Sequence, residues 1–151
     1  MGRCVLVGDR AAILIAYGVR CDQREWRLEM TNNEALVRDF IAAWSRLDVD
    51  ELVAYFCEDG VYHNMPADPV AGHEALRAFI GAFLSNWERT DWEVLNLLAE
   101  GDIVVVERMD RTLASGKPVD LPCCGVFEMR NGKIAVWRDY FDMATYINAL
   151  S

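Results

Sequence analysis

Three short stretches of this chain place polar groups among apolar neighbours. Arg108 and Asp110 lie two apart in the run Ile103–Leu113, Asp139 interrupts Ile134–Phe141, and Tyr62 and Asn64 lie two apart in Val61–Met65. In an extended strand, residues i and i+2 point the same way, so each pair can face one interior. Two carboxylates, a guanidinium, a phenol and an amide are costly to bury unless they satisfy one another or a substrate. The chemistry such a set fits is acid–base. One arginine can bridge two carboxylates through its fork of donors. Two neighbouring carboxylates push their pKa values apart, so that one serves as a base while the other keeps a proton to give. Tyr62 and Asn64, with an aspartate, can hold a water through three hydrogen bonds.

Each assignment has a plainer alternative. Arg108 and Asp110 could form an exposed ion pair on a half-buried strand. Val104 and Val106 share their face and favour the interior, but Val105 and Met109 lie beside Glu107 and Arg111 on the other face, so the alternation is not clean. Asp139 is the stronger case. Its same-face neighbours are Trp137 and Phe141, Arg138 points away from it, and Arg108 is the partner it requires. Core packing for Tyr62 and turn chemistry for Asn64 are their alternatives. His63 reads as a surface or capping residue, and His73, beside Gly72 at a helix start, as structural. Phe83, Trp87, Leu121 and Phe141 are assigned to the apolar wall of a substrate pocket, with plain core packing as the alternative.

The elements that must position these groups follow from periodicity. Thr31, Asn32 and Asn33 offer N-caps, and Leu36, Val37, Phe40, Ile41 and Trp44 recur at helical spacing, which predicts a helix over 33–46. Asp48 or Asp50 caps a short second helix with Leu52, Val53 and Phe56 on one side, ended by Asp59-Gly60. Val61–Met65 reads as a short strand broken by Pro66 and Pro69. Gly72 opens a helix with a buried stripe of Leu76, Phe79, Ile80, Phe83 and Leu84. The second half changes period. Strands are predicted at Trp92–Ala99, Ile103–Leu113, Val119–Met129 and Ile134–Phe141, with turns at Glu100-Gly101-Asp102, Ser115-Gly116-Lys117 and Asn131-Gly132, and a last helix begins at Asp142. Helices followed by long strands give an α+β architecture. Strands of this length twist and coil. The expected fold is a strongly curved, mixed but mostly antiparallel sheet forming a cone, with the N-terminal helices packed over its open side.

Bulk properties narrow the function classes. The chain has 151 residues, 53% of them apolar, which fits one folded domain. A net charge of −9 disfavours nucleic acid and anionic membrane as partners. The five cysteines form no metal-binding or redox spacing and read as reduced thiols of a cytoplasmic protein. With His63 and His73 the only imidazoles, no metal site is expected. Neither a G-x-S-x-G nucleophile motif nor a glycine-rich phosphate loop occurs. Residues 1–30 read as an N-terminal extension, with the domain over 31–151. Their apolar run, Ala11–Val19, is too short to span a bilayer and lacks a small-x-small cleavage site. The periodic pattern starts after Met30, a candidate initiator that peptides from residues 1–29 of the natively expressed protein would refute.

The segments Val61-Tyr62-His63-Asn64-Met65-Pro66, Glu107-Arg108-Met109-Asp110, Gly125-Val126-Phe127 and Trp137-Arg138-Asp139-Tyr140-Phe141-Asp142 resemble, in that order, limonene-1,2-epoxide hydrolases. The similarity runs from about residue 33 to 150. It implies the cone fold of nuclear-transport-factor-2-like and SnoaL-like proteins, a homodimer, no cofactor, and one-step hydrolysis of a lipophilic epoxide without a covalent intermediate. On this resemblance Asp139 is the general base on the attacking water, Tyr62 and Asn64 position that water, Asp110 protonates the epoxide oxygen, and Arg108 links the two aspartates. The chain departs from the family's aliphatic pocket wall at Trp87 and Cys123, and the N-terminal extension matches nothing in it. Two other functions share the fold. One is an isomerase or cyclase acting on a hydrophobic polycyclic substrate, which has no use for the water-holding pair Tyr62 and Asn64. The other is a non-catalytic ligand-binding domain, which has no reason to keep all three charged residues together.

Overall fold

The computed structural model of the chain describes the backbone from residue 23 and side chains from residue 32, both through Ser151. The elements are α1 (Gln23–Ala43) with a 3-10 turn at Trp44–Arg46, α2 (Val49–Ala54), β1 (Phe56–Asn64), β2 (Val70–Ala71), α3 (His73–Leu84), β3 (Trp87–Glu100), β4 (Ile103–Ala114), β5 (Lys117–Arg130), β6 (Lys133–Phe141) and α4 (Met143–Leu150). No helix of the described residues is long and apolar enough to cross a membrane. The expectations for Ala11–Val19 lie outside the described residues.

The six strands form one open, mixed sheet in the order β2-β1-β6-β5-β4-β3. All neighbours pair antiparallel except β1 and β6, which run parallel. The hairpin turns are set by Ser115-Gly116 and Asn131-Gly132, whose four residues all have positive φ. That conformation matches the right-handed twist of the flanking strands and fixes their register. The inner face of the sheet is covered by α1 and α3, where Val37, Phe40 and Ile41 of the one predicted stripe and Leu76 and Ile80 of the other are buried, and Leu36, Phe79, Phe83 and Leu84 are partly buried. Phe40 sits at the centre, edge-on to Trp44, Phe56, Phe127 and Trp137.

Three local predictions are corrected. α1 begins ten residues before residue 33. Residues 23–30 hold good helix formers and neither Gly nor Pro, so Asn32 and Asn33 lie inside a helix rather than capping one. Asn33 instead donates from Nδ2 to the Gly101 carbonyl at 3.0 Å, tying α1 to the β3–β4 turn. Phe56 and Asp59-Gly60 belong to β1 and not to α2, which Asp48 caps by accepting from the Asp50 and Glu51 amides. The β1–β6 register slips between Phe56 and Val61. Gly60 lies in this irregular stretch, where an added Cβ would sit 2.9 Å from the Cys57 carbonyl. β3 starts at Trp87, five residues before its predicted start, which brings Trp87 into the sheet.

One further irregularity positions the site. Across β5–β6, Met129 pairs with Ile134 while Glu128 pairs with Val136, leaving Ala135 as an extra residue. A one-residue bulge reverses which parity faces inward. Ile134 is buried before it, and Trp137 and Asp139 are buried after it.

Candidate active site

Strand β4 alternates cleanly, burying Val104, Val106, Arg108, Asp110, Thr112 and Ala114. Arg108 and Asp110 therefore face the interior, as the two valines before them imply. β6 delivers Asp139 to the same interior, and β1, parallel to it, delivers Tyr62 and Asn64, with Asn64 directly opposite Asp139 in register. All five predicted polar residues are buried, and four of them line one cavity, with Arg108 beneath them.

Arg108 is the hub. Its Nε and Nη2 donate to the two Asp110 oxygens at 2.8 and 3.1 Å, and its Nη1 and Nη2 donate to the two Asp139 oxygens at 2.9 and 2.6 Å. Side-chain exposure is 0% for Arg108, 6% for Asp110 and 4% for Asp139. The guanidinium also lies 4.5 Å from the Trp92 ring centre and 5.5 Å from that of Trp137, within cation–π range. Burial alone would lower the arginine's pKa, but the Asp139 and Asp110 carboxylates outweigh it and hold the guanidinium firmly charged. Burial raises the Asp110 carboxyl to about 6, against the lowering pull of Arg108 and with a further push from Asp139. Asp110 is thus a carboxylic acid able to carry a proton near neutral pH.

Tyr62 stacks on Trp137 at 4.1 Å with nearly parallel rings, and Phe127 covers the other side of the indole. Burial drives the Tyr62 phenol well above its usual range, so it acts as a neutral hydroxyl. Asn64 Oδ1 is buried and takes no hydrogen bond from the protein. A carbonyl oxygen in that position is an acceptor waiting for a donor.

The four wall residues predicted from facing, Phe83, Trp87, Leu121 and Phe141, all line this cavity of about 120 Å³. Trp44, Trp92, Met143 and Tyr146 line it as well and were not singled out in the sequence. Trp44 reads as an ordinary core position of α1, and its place at the cavity depends on where the helix ends across β3. Met143 and Tyr146 come from α4, the element farthest along the chain from the polar pairs of β1. Trp92 had a signal, since it pairs with Asp110 across β3–β4.

Cys123 lines the cavity beside Asp110, and burial raises its thiol far above the usual range, so it is a neutral wall residue and not a nucleophile. Asp110, Cys123 and Asp139 bring potential metal-ligand atoms within 4.8 Å of one another. Their chemistry does not suit a cation. Arg108 already engages both carboxylates through both oxygens, and a protonated thiol is a poor ligand.

Gly125 is a residue whose reason the sequence conceals. It pairs with Val106 on one side and Asp139 on the other. A Cβ there would sit 2.9 Å from Arg108 Nη1, 2.9 Å from the Phe127 ring and 3.0 Å from Trp137 Nε1. The missing side chain is the space the guanidinium occupies.

A SnoaL-like domain matches residues 37–137 of the chain. The chain belongs to the SnoaL-like family. The match takes in Tyr62, Asn64, Arg108 and Asp110 and stops just before Asp139. The epoxide hydrolase EphG of Mycobacterium tuberculosis (strain ATCC 25618 / H37Rv) is 31% identical over 109 residues, 71% of each chain. The structure of an M. tuberculosis LEH-like epoxide hydrolase superposes with a TM-score of 0.70 at 28% identity, covering 81% of this chain and 91% of that one. A putative polyketide cyclase from Xanthomonas campestris pv. campestris superposes with a TM-score of 0.75 at 21% identity, covering 82% and 99%, a likeness of fold.

Proposed function

We propose that this protein is an epoxide hydrolase that adds water to a lipophilic epoxide, giving a vicinal diol in one step. The observation that carries the reading is the pair Asp110 and Asp139, bridged by Arg108 at the wall of an apolar cavity that Tyr62 and Asn64 also face. The similarity to EphG supports the same reaction class.

Asp139, Tyr62 and Asn64 hold the nucleophilic water. Its oxygen forms a bond to one epoxide carbon as its proton passes to Asp139. The carbon–oxygen bond of the ring breaks with its electron pair on oxygen, which takes the proton of Asp110. Each proton transfer of this kind contributes on the order of 10²–10⁴ in rate, and holding the water at the point of attack adds a large entropic advantage.

Charge balance favours this division of labour. With one proton shared between two carboxylates and a charged Arg108, the cluster is neutral before the reaction and neutral after it, so no net charge is created in a low-dielectric site. The proton has only changed carboxylates.

Asp139→Asn and Asp110→Asn should each abolish diol formation while the far-UV circular dichroism stays that of the parent chain. Wild-type turnover of an epoxide panel by both variants would refute the assignment. In a single turnover in ¹⁸O-labelled water the diol should carry the label. Label entering an aspartate first would replace the one-step route with a covalent one.

A further inference from the structure

The wall of the cavity that α3, β3 and the end of α1 supply is aromatic and continuous. Phe83 of α3 lies 6.2 Å from Trp87 of β3 at 28°, Trp87 lies 6.0 Å from Trp44, and Trp44 stacks on Trp92 at 4.4 Å and 18°. These four rings brace one another, and Trp92 is in turn braced by the Arg108 guanidinium. The wall is also fastened to α4, because Trp87 Nε1 donates to the Tyr146 hydroxyl at 3.3 Å.

This arrangement is both small and stiff. At about 120 Å³ the cavity is of the order of an apolar void that accepts a single benzene. Tryptophan and phenylalanine rings have few rotamers and, packed in a row, cannot fold away as leucine or methionine side chains can. Aromatic rings meet other aromatic rings edge-to-face or offset, which favours an aromatic guest by roughly two- to tenfold per ring contact beyond the area buried. A saturated ring of the same carbon count is thicker and has no quadrupole to match.

We infer that the cavity selects small aryl epoxides, with one benzene ring a carbon or two from the oxirane, over alicyclic epoxides of equal carbon count. The inference rests on the epoxide-hydrolase reading above and names the substrate class of that site. Phe83 and Trp87 are its specificity-determining residues.

The test compares benzyloxirane with (cyclohexylmethyl)oxirane on the full-length protein. The two share carbon count, linker and substitution at the oxirane, and neither has a benzylic epoxide carbon to bias reactivity. The kcat/KM for the aryl compound should be at least about tenfold the higher. Trp87→Leu and Phe83→Leu should each bring the ratio toward one. A ratio of one or less in the wild type, with diol formed, overturns aryl selection and leaves epoxide hydrolysis standing. No diol from these compounds or from a panel of aliphatic epoxides overturns hydrolysis, and aryl selection with it. If the leucine variants do not fold, the inhibition constants of the two product diols against the wild type give the same comparison. Tighter binding of the aryl diol supports the inference, and equal or weaker binding overturns it.

Discussion

Strand β4 carries an arginine on each face. Arg108 points inward with its side chain fully buried, and makes four hydrogen bonds to two carboxylates. Arg111, three residues on, points outward, its side chain 47% exposed, and donates from Nη1 to Glu93 at 2.6 Å. Both are short, well-made ion pairs. They differ in what surrounds them. Water and salt can replace what Glu93 offers Arg111, and exposed pairs of this type are worth about 0–1 kcal/mol. Nothing replaces Asp110 and Asp139 around Arg108, and nothing replaces Arg108 for them. Strand parity, and not residue type or bond length, separates a solvated surface pair from the buried hub of the candidate site.

The contrast can be broken most directly at the two arginines. Arg108→Met should abolish diol formation and cost about 3–5 kcal/mol of stability, because it strands two buried carboxylates. Arg111→Met should leave activity intact and change stability by less than about 1 kcal/mol. Urea unfolding of both variants reads the difference, and comparable losses would mean that burial is not what distinguishes the pairs.

The next largest effect is in pH. The Asp110 carboxyl, raised by burial to about 6 from its ordinary 3.8, binds its proton more tightly in the folded chain than in the unfolded one. Its contribution to stability is therefore complete below about pH 4 and is lost as pH rises through about 6, a change of roughly 3 kcal/mol. The general-acid role has the same sign, so kcat/KM should fall about tenfold per pH unit above about pH 6. Denaturant titrations and rates from pH 4 to 8 check both, and Asp110→Asn should remove the stability transition. A rate that rises with pH across that range would remove Asp110 from the acid role.

The smallest expected effect sharpens the comparison from a third strand. Gly125→Ala should cost about 1–3 kcal/mol, the usual range for overpacking, and lower kcat more than it raises KM, since its Cβ displaces the guanidinium and not the substrate. Cys124→Ala, its neighbour on the other face of the sheet, should do neither. Steady-state kinetics beside thermal melts distinguishes the two.

The polar site was readable where strand alternation and composition agree. Val104 and Val106 reveal the inward parity of β4, and Trp137 and Phe141 reveal that of Asp139. The turn residues Ser115-Gly116 and Asn131-Gly132 set the hairpins, and with them the sheet. What stayed hidden depends on places where the period changes. The irregular stretch of β1 around Gly60 leaves no alternation to follow, so Phe56 passes for a helical residue. The indole wall at Trp44 arises because a helix end meets a strand far along the chain. Gly125 has no side chain to announce its purpose, which is only visible once Arg108 is seen filling the space.

Ala135 has no polar side-chain atom and does not line the cavity. It is the residue that β5 leaves unpaired, between Ile134 and Val136. Taking it out would join those two in a regular ladder and leave Trp137 and Asp139 facing inward, because the bulge exists only to absorb one surplus residue. Adding a residue beside it would exceed what a one-residue bulge absorbs and carry Asp139 to the outer face. Tolerance here is therefore lopsided: β6 withstands the loss of the alanine codon and not the gain of another.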